Sequence, residues 1–264
     1  MSAGKTSKLI AVYRLILWAG LSLFTIVTQT PLLMFYRGKY SFIVSRWWQE
    51  GTAAIFKIKF IVEGKPYEES QTLYVGNHMS HMDIPTIGSF VNAVFIARGD
   101  MEKWPVFGHL GKMQQTIYIS RDRKKAEEGK AAIDRIVGEG KSIILFAEGT
   151  STDGRQVVPF KSSLFSIPLE HPTMMVQAFT LDLIEVNGQS ADDQAVRDTY
   201  TWHGDMTLEP HIWQFAQFVN GATVKVTFHK PRKASDYTDR KLLTQDCYND
   251  VASALTAKPL VKAA

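Results

Sequence analysis

An α/β fold is what this sequence predicts: a mixed sheet covered by helices, behind an N-terminal membrane-associated helical element. Three observations predict it. From about residue 53, short β-rich runs alternate with helical stretches, the pattern of a sheet with helical cover. Before that point, Leu15 to Tyr36 runs for 22 residues without a charge. Finally, polar clusters recur just after the ends of expected strands, where open α/β sheets bind ligands.

The 264 residues, 45% of them hydrophobic, suffice for one large core. The expected division is a helical element over 1–52 and a single α/β domain over 53–264. The net charge of +4 is too small to demand nucleic acid and suits anionic surfaces or substrates. One cysteine, Cys247, excludes an intrachain disulfide framework and any cysteine-based metal cage.

In the N-terminal element, Ser22, Thr25, Thr28, Gln29, Thr30 and Pro31 interrupt the apolar run. Cations flank it evenly: Lys5, Lys8 and Arg14 before it, Arg37, Lys39 and Arg46 after. Balanced flanks favour a segment that dips into or lies on the bilayer with both ends cytoplasmic. Trp47 and Trp48 follow among apolar and basic residues, as in an interfacial element. The competing reading is a pair of helices buried against the soluble domain.

Strands are expected over 55–62, 72–75, 93–97, 116–120, 142–146, 174–179 and 223–229, from β-branched and aromatic runs bounded by turn residues. Helices are expected over 84–91, 104–112, 124–138 and 237–255. The clusters at strand ends are Asn77-His78, Arg121-Asp122-Arg123 and Glu148-Gly149-Thr150.

His78 and Asp83 stand five residues apart in "NHMSHMD". An imidazole takes up protons near neutrality, and a carboxylate on its other nitrogen sets the tautomer. Five helical residues rotate a side chain by about 500°, so the two cannot share a helix face. The pair works if 76–80 is a loop and a helix begins near Asp83, with Pro85 in its first turn. Ser80-x-x-Asp83 also has capping-box spacing, so a purely structural reading stands beside the acid/base one. His81 has no spacing that singles it out, and no pattern supports a metal held by His78, His81 and Asp83. Near Gly149, backbone N–H groups can approach an anion or polar headgroup, with Glu148 accepting from a hydroxyl. Arg155 and Lys161 recur beside the same turn.

These residues resemble the glycerolipid acyltransferases of the lysophosphatidic acid acyltransferase type, close to the lyso-ornithine lipid acyltransferases. "NHMSHMD" is similar to that family's His-x-x-x-x-Asp block, and "GKMQQTIYISRDR" to its second block, with Gly111 and Arg121. "FAEGT" is similar to its third, usually Phe-Pro-Glu-Gly-Thr, and "VVPFKSSLF" to its fourth, with Pro159 and Lys161. Four blocks in order make a specific match, although Ala147 replaces the proline and Ser151 stands where an arginine commonly follows Glu-Gly-Thr.

The resemblance implies that His78, oriented by Asp83, takes the proton from a lysolipid hydroxyl, which attacks an acyl-ACP or acyl-CoA thioester. Arg121 would hold phosphate; Glu148, Gly149, Thr150, Ser151 and Lys161 would line the acceptor site. It implies no cofactor and no metal, with the bilayer, a lysolipid and acyl carrier protein or CoA as partners, at the cytoplasmic face of the inner membrane. The leading acceptor is 1-acylglycerol-3-phosphate, with lyso-ornithine lipid as the alternative. A thioesterase using the same pair on water, and a non-catalytic membrane adaptor, are the rival classes. A second site at His203 and Asp205 competes with a loop and amphipathic helix packed on the domain.

Overall fold

In the computed structural model, residues 4–36, 38–120 and 123–256 are described. The strands are β1 (Ile58–Glu63), β2 (Thr72–Gly76), β3 (Ala93–Arg98), β4 (Ile117–Ile119), β5 (Ser142–Phe146), β6 (Met175–Val186), β7 (Gln189–Ser190), β8 (Ala222–Phe228) and β9 (Arg232–Lys233). The helices are α1 (Lys8–Phe35), α2 (Ile43–Ile55), α3 (Asp83–Gly88), α4 (Phe107–Met113), α5 (Arg123–Gly138), α6 (Ser166–Glu170), α7 (Gln194–Arg197), α8 (Leu208–Ala216) and α9 (Arg240–Ser253). The sheet order is β1-β8-β6-β2-β5-β3-β4, with β7 and β9 on β6. β6, β2, β5, β3 and β4 are parallel, whereas β8 is antiparallel to β6 and carries β1 parallel to itself, so the sheet is mixed as expected.

Burial explains the order. All five residues of β2 are buried, because a central parallel strand is covered on both faces. Along β8 only alternate residues are buried, the period of a strand with one covered face. One core packs Tyr74, Ile144, Phe179 and Val224 against Phe56, Ile87 and Phe215; the other packs Leu73, Val75, Ile143 and Val176 against Ile133, Phe165 and Leu243. Helices therefore sandwich the sheet. Cys247 lies in the second core, and burial pushes its thiol up to about 12.

Some boundaries shift for local reasons. The first strand begins at Ile58 rather than residue 55, because α2 continues to Ile55 and Lys57 turns with φ 55°. The helix expected from residue 104 begins at Phe107, after a γ-turn at Val106 (φ 63°, ψ −58°) closed by Phe107 N–H on the Pro105 carbonyl at 2.6 Å. β6 runs seven residues beyond the expected 179, to Val186, through the stretch that pairs with β8.

The N-terminal element shows where its polar residues go. α1 is one helix of 28 residues, with length and composition sufficient to cross a membrane. Arg14, Ser22, Thr25 and Gln29 point into the protein, whereas Thr28 and Thr30 bond carbonyls of their own helix. Arg14 donates to the carbonyls of Ala216 and Phe218 at 3.2 and 2.6 Å, Ser22 accepts from Trp48 Nε1 at 3.0 Å, and Gln29 donates to the Ser41 carbonyl at 2.7 Å. Leu9, Val12, Tyr13, Ile16, Leu23, Phe24 and Val27 form the exposed stripe, the inverse of a soluble protein's surface helix. The expectation for Trp48 is corrected: it is 6% exposed and packs against Trp18, whereas Trp47 is 55% exposed. The expected boundary at residue 52 falls inside α2, whose Ala53 belongs to the core.

Candidate active site

β2 ends at a glycine because a Cβ on Gly76 would lie 2.3 Å from the Phe179 ring. The next residue, Asn77, replaces the strand ladder with its side chain: Nδ2 donates to the Leu181 carbonyl and Oδ1 accepts the Leu181 N–H, both at 2.8 Å. The chain then turns, and α3 starts at Asp83 with Pro85 in its first turn, as the spacing required.

This turn brings His78 Nδ1 to 2.7 Å from Asp83 Oδ2. The same oxygen accepts the backbone N–H groups of Met79 and Ser80 at 2.6 and 2.8 Å. The capping and acid/base readings are thus not alternatives, since one carboxylate oxygen closes the turn and orients the histidine. Asp83 is fully buried and Oδ1 has no partner among the described residues. A carboxylate on Nδ1 puts the neutral ring's proton there and leaves Nε2 as the basic nitrogen. The His78 ring stacks on Phe146 (centroids 4.2 Å, interplanar angle 13°), and its side chain keeps 19% exposure.

Glu148 occupies a different place from the one expected. It is buried, Oε2 accepts the His78 N–H at 2.6 Å and Oε1 the Val158 N–H at 2.9 Å, so both oxygens hold backbone and neither is offered to an acceptor. Burial raises its carboxyl to about 7, partly offset by those two N–H groups. The His78, Met79 and Ser80 N–H groups are thus all engaged within the site and are not left as donors for an oxyanion.

The third cluster continues from β5. Gly149 has φ 69°, and a Cβ there would come within 2.4 Å of Lys161 Nζ, so glycine allows the lysine to lie across the turn. Lys161 N–H bonds the Ala147 carbonyl at 2.9 Å, and Thr152 N–H bonds the His78 carbonyl at 2.9 Å, which joins the turn to the histidine loop. Thr150 is exposed and Ser151 half-buried. Arg155 turns away, donating from Nε to Gln194 Oε1 at 2.6 Å and from its guanidinium to the Asp192 carbonyl. Arg121 lies outside the described residues, although β4, which precedes it, ends at the same sheet edge.

Two structural supports escaped sequence reading. Arg197, buried, donates to the carbonyls of Ala191, Leu183 and Asp153 and so braces the third cluster from behind. Ser80 Oγ donates to the Tyr200 carbonyl at 2.7 Å, and Trp202 N–H to the Met79 carbonyl at 2.8 Å, so 200–202 backs the histidine turn. Neither has a local sequence signal, because any carbonyl can accept and partners such as Asp153 and Tyr200 lie far along the chain. His81 faces His211 (centroids 5.2 Å), and burial lowers it to about 3, with His211 and His78 adding to the effect. His203 lies 3.6 Å from Asp198 rather than with Asp205, and α8 follows as the packed helix expected there.

Comparison with known proteins bears on the family and the fold. The model of the family described as "Acyltransferase" matches residues 58–179. A lyso-ornithine lipid O-acyltransferase of Brucella abortus is 32% identical over 214 residues, 77% of this chain and 78% of that protein. One from Rhodobacter capsulatus is 29% identical over 76% of this chain and 72% of that protein. A 1-acyl-sn-glycerol-3-phosphate acyltransferase of Neisseria gonorrhoeae is 26% identical over 68% of each chain. The crystal structure of the 1-acyl-sn-glycerophosphate acyltransferase PlsC from Thermotoga maritima shares the fold, with a TM-score of 0.61 at 17% identity over 93% of this chain and 92% of that one. By the span and identity of these matches, the chain belongs to the acyltransferase family, among the lysolipid O-acyltransferases.

Proposed function

We propose that the protein moves a fatty acyl group from an acyl-ACP or acyl-CoA thioester to the hydroxyl of a lysolipid, with His78 as general base oriented by Asp83. The observation that carries this reading is the short Nδ1–Oδ2 contact beneath a partly exposed ring. Nε2 takes the hydroxyl proton as the oxygen attacks the thioester carbonyl. The tetrahedral intermediate collapses with loss of the thiolate, which receives the proton from the imidazolium. No acyl-enzyme forms, so no nucleophilic serine or cysteine is needed. Asn77 and Glu148 hold the turn that carries the base, Gly149, Thr150, Ser151 and Lys161 face the acceptor, and the resemblance to the family adds Arg121 to the acceptor-binding residues.

For the acceptor we favour a lyso-ornithine-type aminolipid over a phosphate monoester. At the position after Glu-Gly-Thr, Ser151 offers one neutral hydroxyl rather than a guanidinium fork, and Arg155 is committed to Gln194 and Asp192. Among the described residues of the acceptor site, Lys161 is then the cation left to meet the single carboxylate of an amino-acid headgroup. Over matches that span more than two thirds of this chain, the lyso-ornithine relatives are 29–32% identical and the 1-acyl-sn-glycerol-3-phosphate ones 26%, although shorter matches to the latter reach 30%. The exposed apolar stripe of α1 and Trp47 would rest in the bilayer, on the cytoplasmic side where thioester donors are made. Purified protein offered lyso-ornithine lipid and lysophosphatidate with each donor tests the reading. Turnover should require an acceptor and prefer the aminolipid; thiol release without acceptor would point to a thioesterase.

A further inference from the structure

His78 stands at the C-terminal edge of the sheet; the opposite edge, where the strands begin, holds a cavity of about 500 Å³. It opens between the end of α1, α4, the start of β4 and the last turns of α5. Lys141, just before β5, reaches its floor, while Phe146 at the other end of β5 touches His78. At about 3.3 Å per residue the length of that strand separates the two places by roughly 15 Å.

The floor is a built polar network. Gln115 adopts φ 60°, an uncommon conformation for a residue other than glycine. From there its side chain donates to Ser41 Oγ at 3.0 Å and accepts from Lys141 Nζ at 2.7 Å. Lys141, nearly buried, also pairs with Glu139 at 2.5 Å. Above this floor are two more cations. Lys112 has only an exposed pair with Glu102 at 3.2 Å, the kind worth little in water, and the Arg135 side chain has no ion pair or hydrogen bond among the described residues. Among the described lining residues, three cations thus stand with one carboxylate, Glu139, while Glu102 meets Lys112 from outside the cavity.

The rim is apolar. Leu33 and Tyr36 line the mouth, and the adjacent Met34 and Phe35 are 74% and 79% exposed. A soluble anion would use the cations and ignore the rim, whereas a phospholipid uses both. We propose that this cavity is a headgroup site for an anionic phospholipid of the bilayer, its phosphate between Lys112 and Arg135 and its chains against the outer face of α1. The site is distinct from the acyl-transfer centre and holds the C-terminal end of α1 at the membrane surface. The proposal rests on the reading that α1 lies on a bilayer.

The test is vesicle co-sedimentation of the full chain with phosphatidylcholine alone and with mixed phosphatidylcholine and phosphatidylglycerol. The Lys112→Gln/Arg135→Gln variant is compared with the charge-matched Arg240→Gln/Lys241→Gln control on α9. Wild type should gain affinity from phosphatidylglycerol. The cavity variant should lose about thirtyfold of that gain, roughly fivefold per cation, and the control almost none. All three should keep the same thermal midpoint and the same binding to phosphatidylcholine. Equal losses in variant and control would reduce the effect to diffuse surface charge and overturn the site. Displacement of the gain by inorganic phosphate at constant ionic strength would assign the cavity to a soluble anion and overturn the lipid. Wild type that binds neither vesicle would instead remove the membrane reading beneath the proposal.

Discussion

Replacing Asp83 by asparagine separates two roles of one oxygen. In the native turn Oδ2 accepts three N–H groups, from the His78 ring and the backbones of Met79 and Ser80, at 2.6–2.8 Å. Two of these donors are backbone and must be satisfied, so the asparagine will set its carbonyl oxygen in the place of Oδ2. His78 Nδ1 then still finds an acceptor, and the tautomer survives. The variant lacks the full negative charge opposite the imidazolium that forms when His78 takes the proton. Unit charges about 4 Å apart attract by about 4 kcal/mol at an effective dielectric constant of 20. The amide dipole retains part of that, so kcat/KM should fall about 10²–10³-fold. Stability should change little. Asp83→Ala, by contrast, orphans two buried N–H groups at about 1–3 kcal/mol each and should lower the thermal midpoint markedly. Thiol release from the acyl donor in the presence of lysolipid reads the first effect; thermal unfolding reads the second. An asparagine variant with near wild-type kcat/KM would refute the electrostatic role of Asp83, and one that unfolds like the alanine variant would refute the assignment of its carbonyl to the Oδ2 position.

Four further outcomes are expected. His78→Ala should lose about 10²–10⁴-fold in turnover without loss of folding, and a circular dichroism melt alongside the assay checks both. Burial raises the Glu148 carboxyl from 4.5 to about 7, so the folded state holds that proton more tightly than the unfolded chain. Its contribution favours folding below about pH 4.5 and is lost as pH rises through 7, a change on the order of 3 kcal/mol. Across that window the stability of wild type relative to Glu148→Gln should decline, as read by chemical denaturation at several pH values; a pH-independent difference would contradict it. Ile16→Glu/Val27→Glu, on the exposed stripe of α1, should weaken phosphatidylcholine vesicle binding by at least about tenfold and leave the unfolding midpoint in place. Ser151→Arg should lower KM for lysophosphatidate and leave unchanged or impair use of the aminolipid, in paired steady-state assays; no effect on either would place residue 151 away from the headgroup.

The acyltransferase blocks, the alternation of strands and helices, and the loop needed between Gly76 and Asp83 were all legible in the chain, because each depends on residues close in sequence. Periodicity marks a strand wherever it lies, and a glycine, a histidine and a helix-starting Asp-x-Pro set the local turn. The charge-free run of α1 was equally plain, as was the serine that departs from the family's arginine. What the sequence could not disclose were directions. The tertiary structure turned Trp48, Arg14 and Gln29 inward and left an apolar stripe outside, since carbonyls in 216–218 and a hydroxyl on α1 needed partners that only packing brings near. It likewise aimed Glu148 at two backbone N–H groups and Arg155 at Gln194, where local spacing had offered Glu148 to an acceptor hydroxyl and set Arg155 beside the same turn. Sequence determined which chemical groups arrive at the sheet edge, because motifs are local. Only the fold decided which of those groups remain free to act, because hydrogen-bond satisfaction in the interior is settled between segments far apart in the chain.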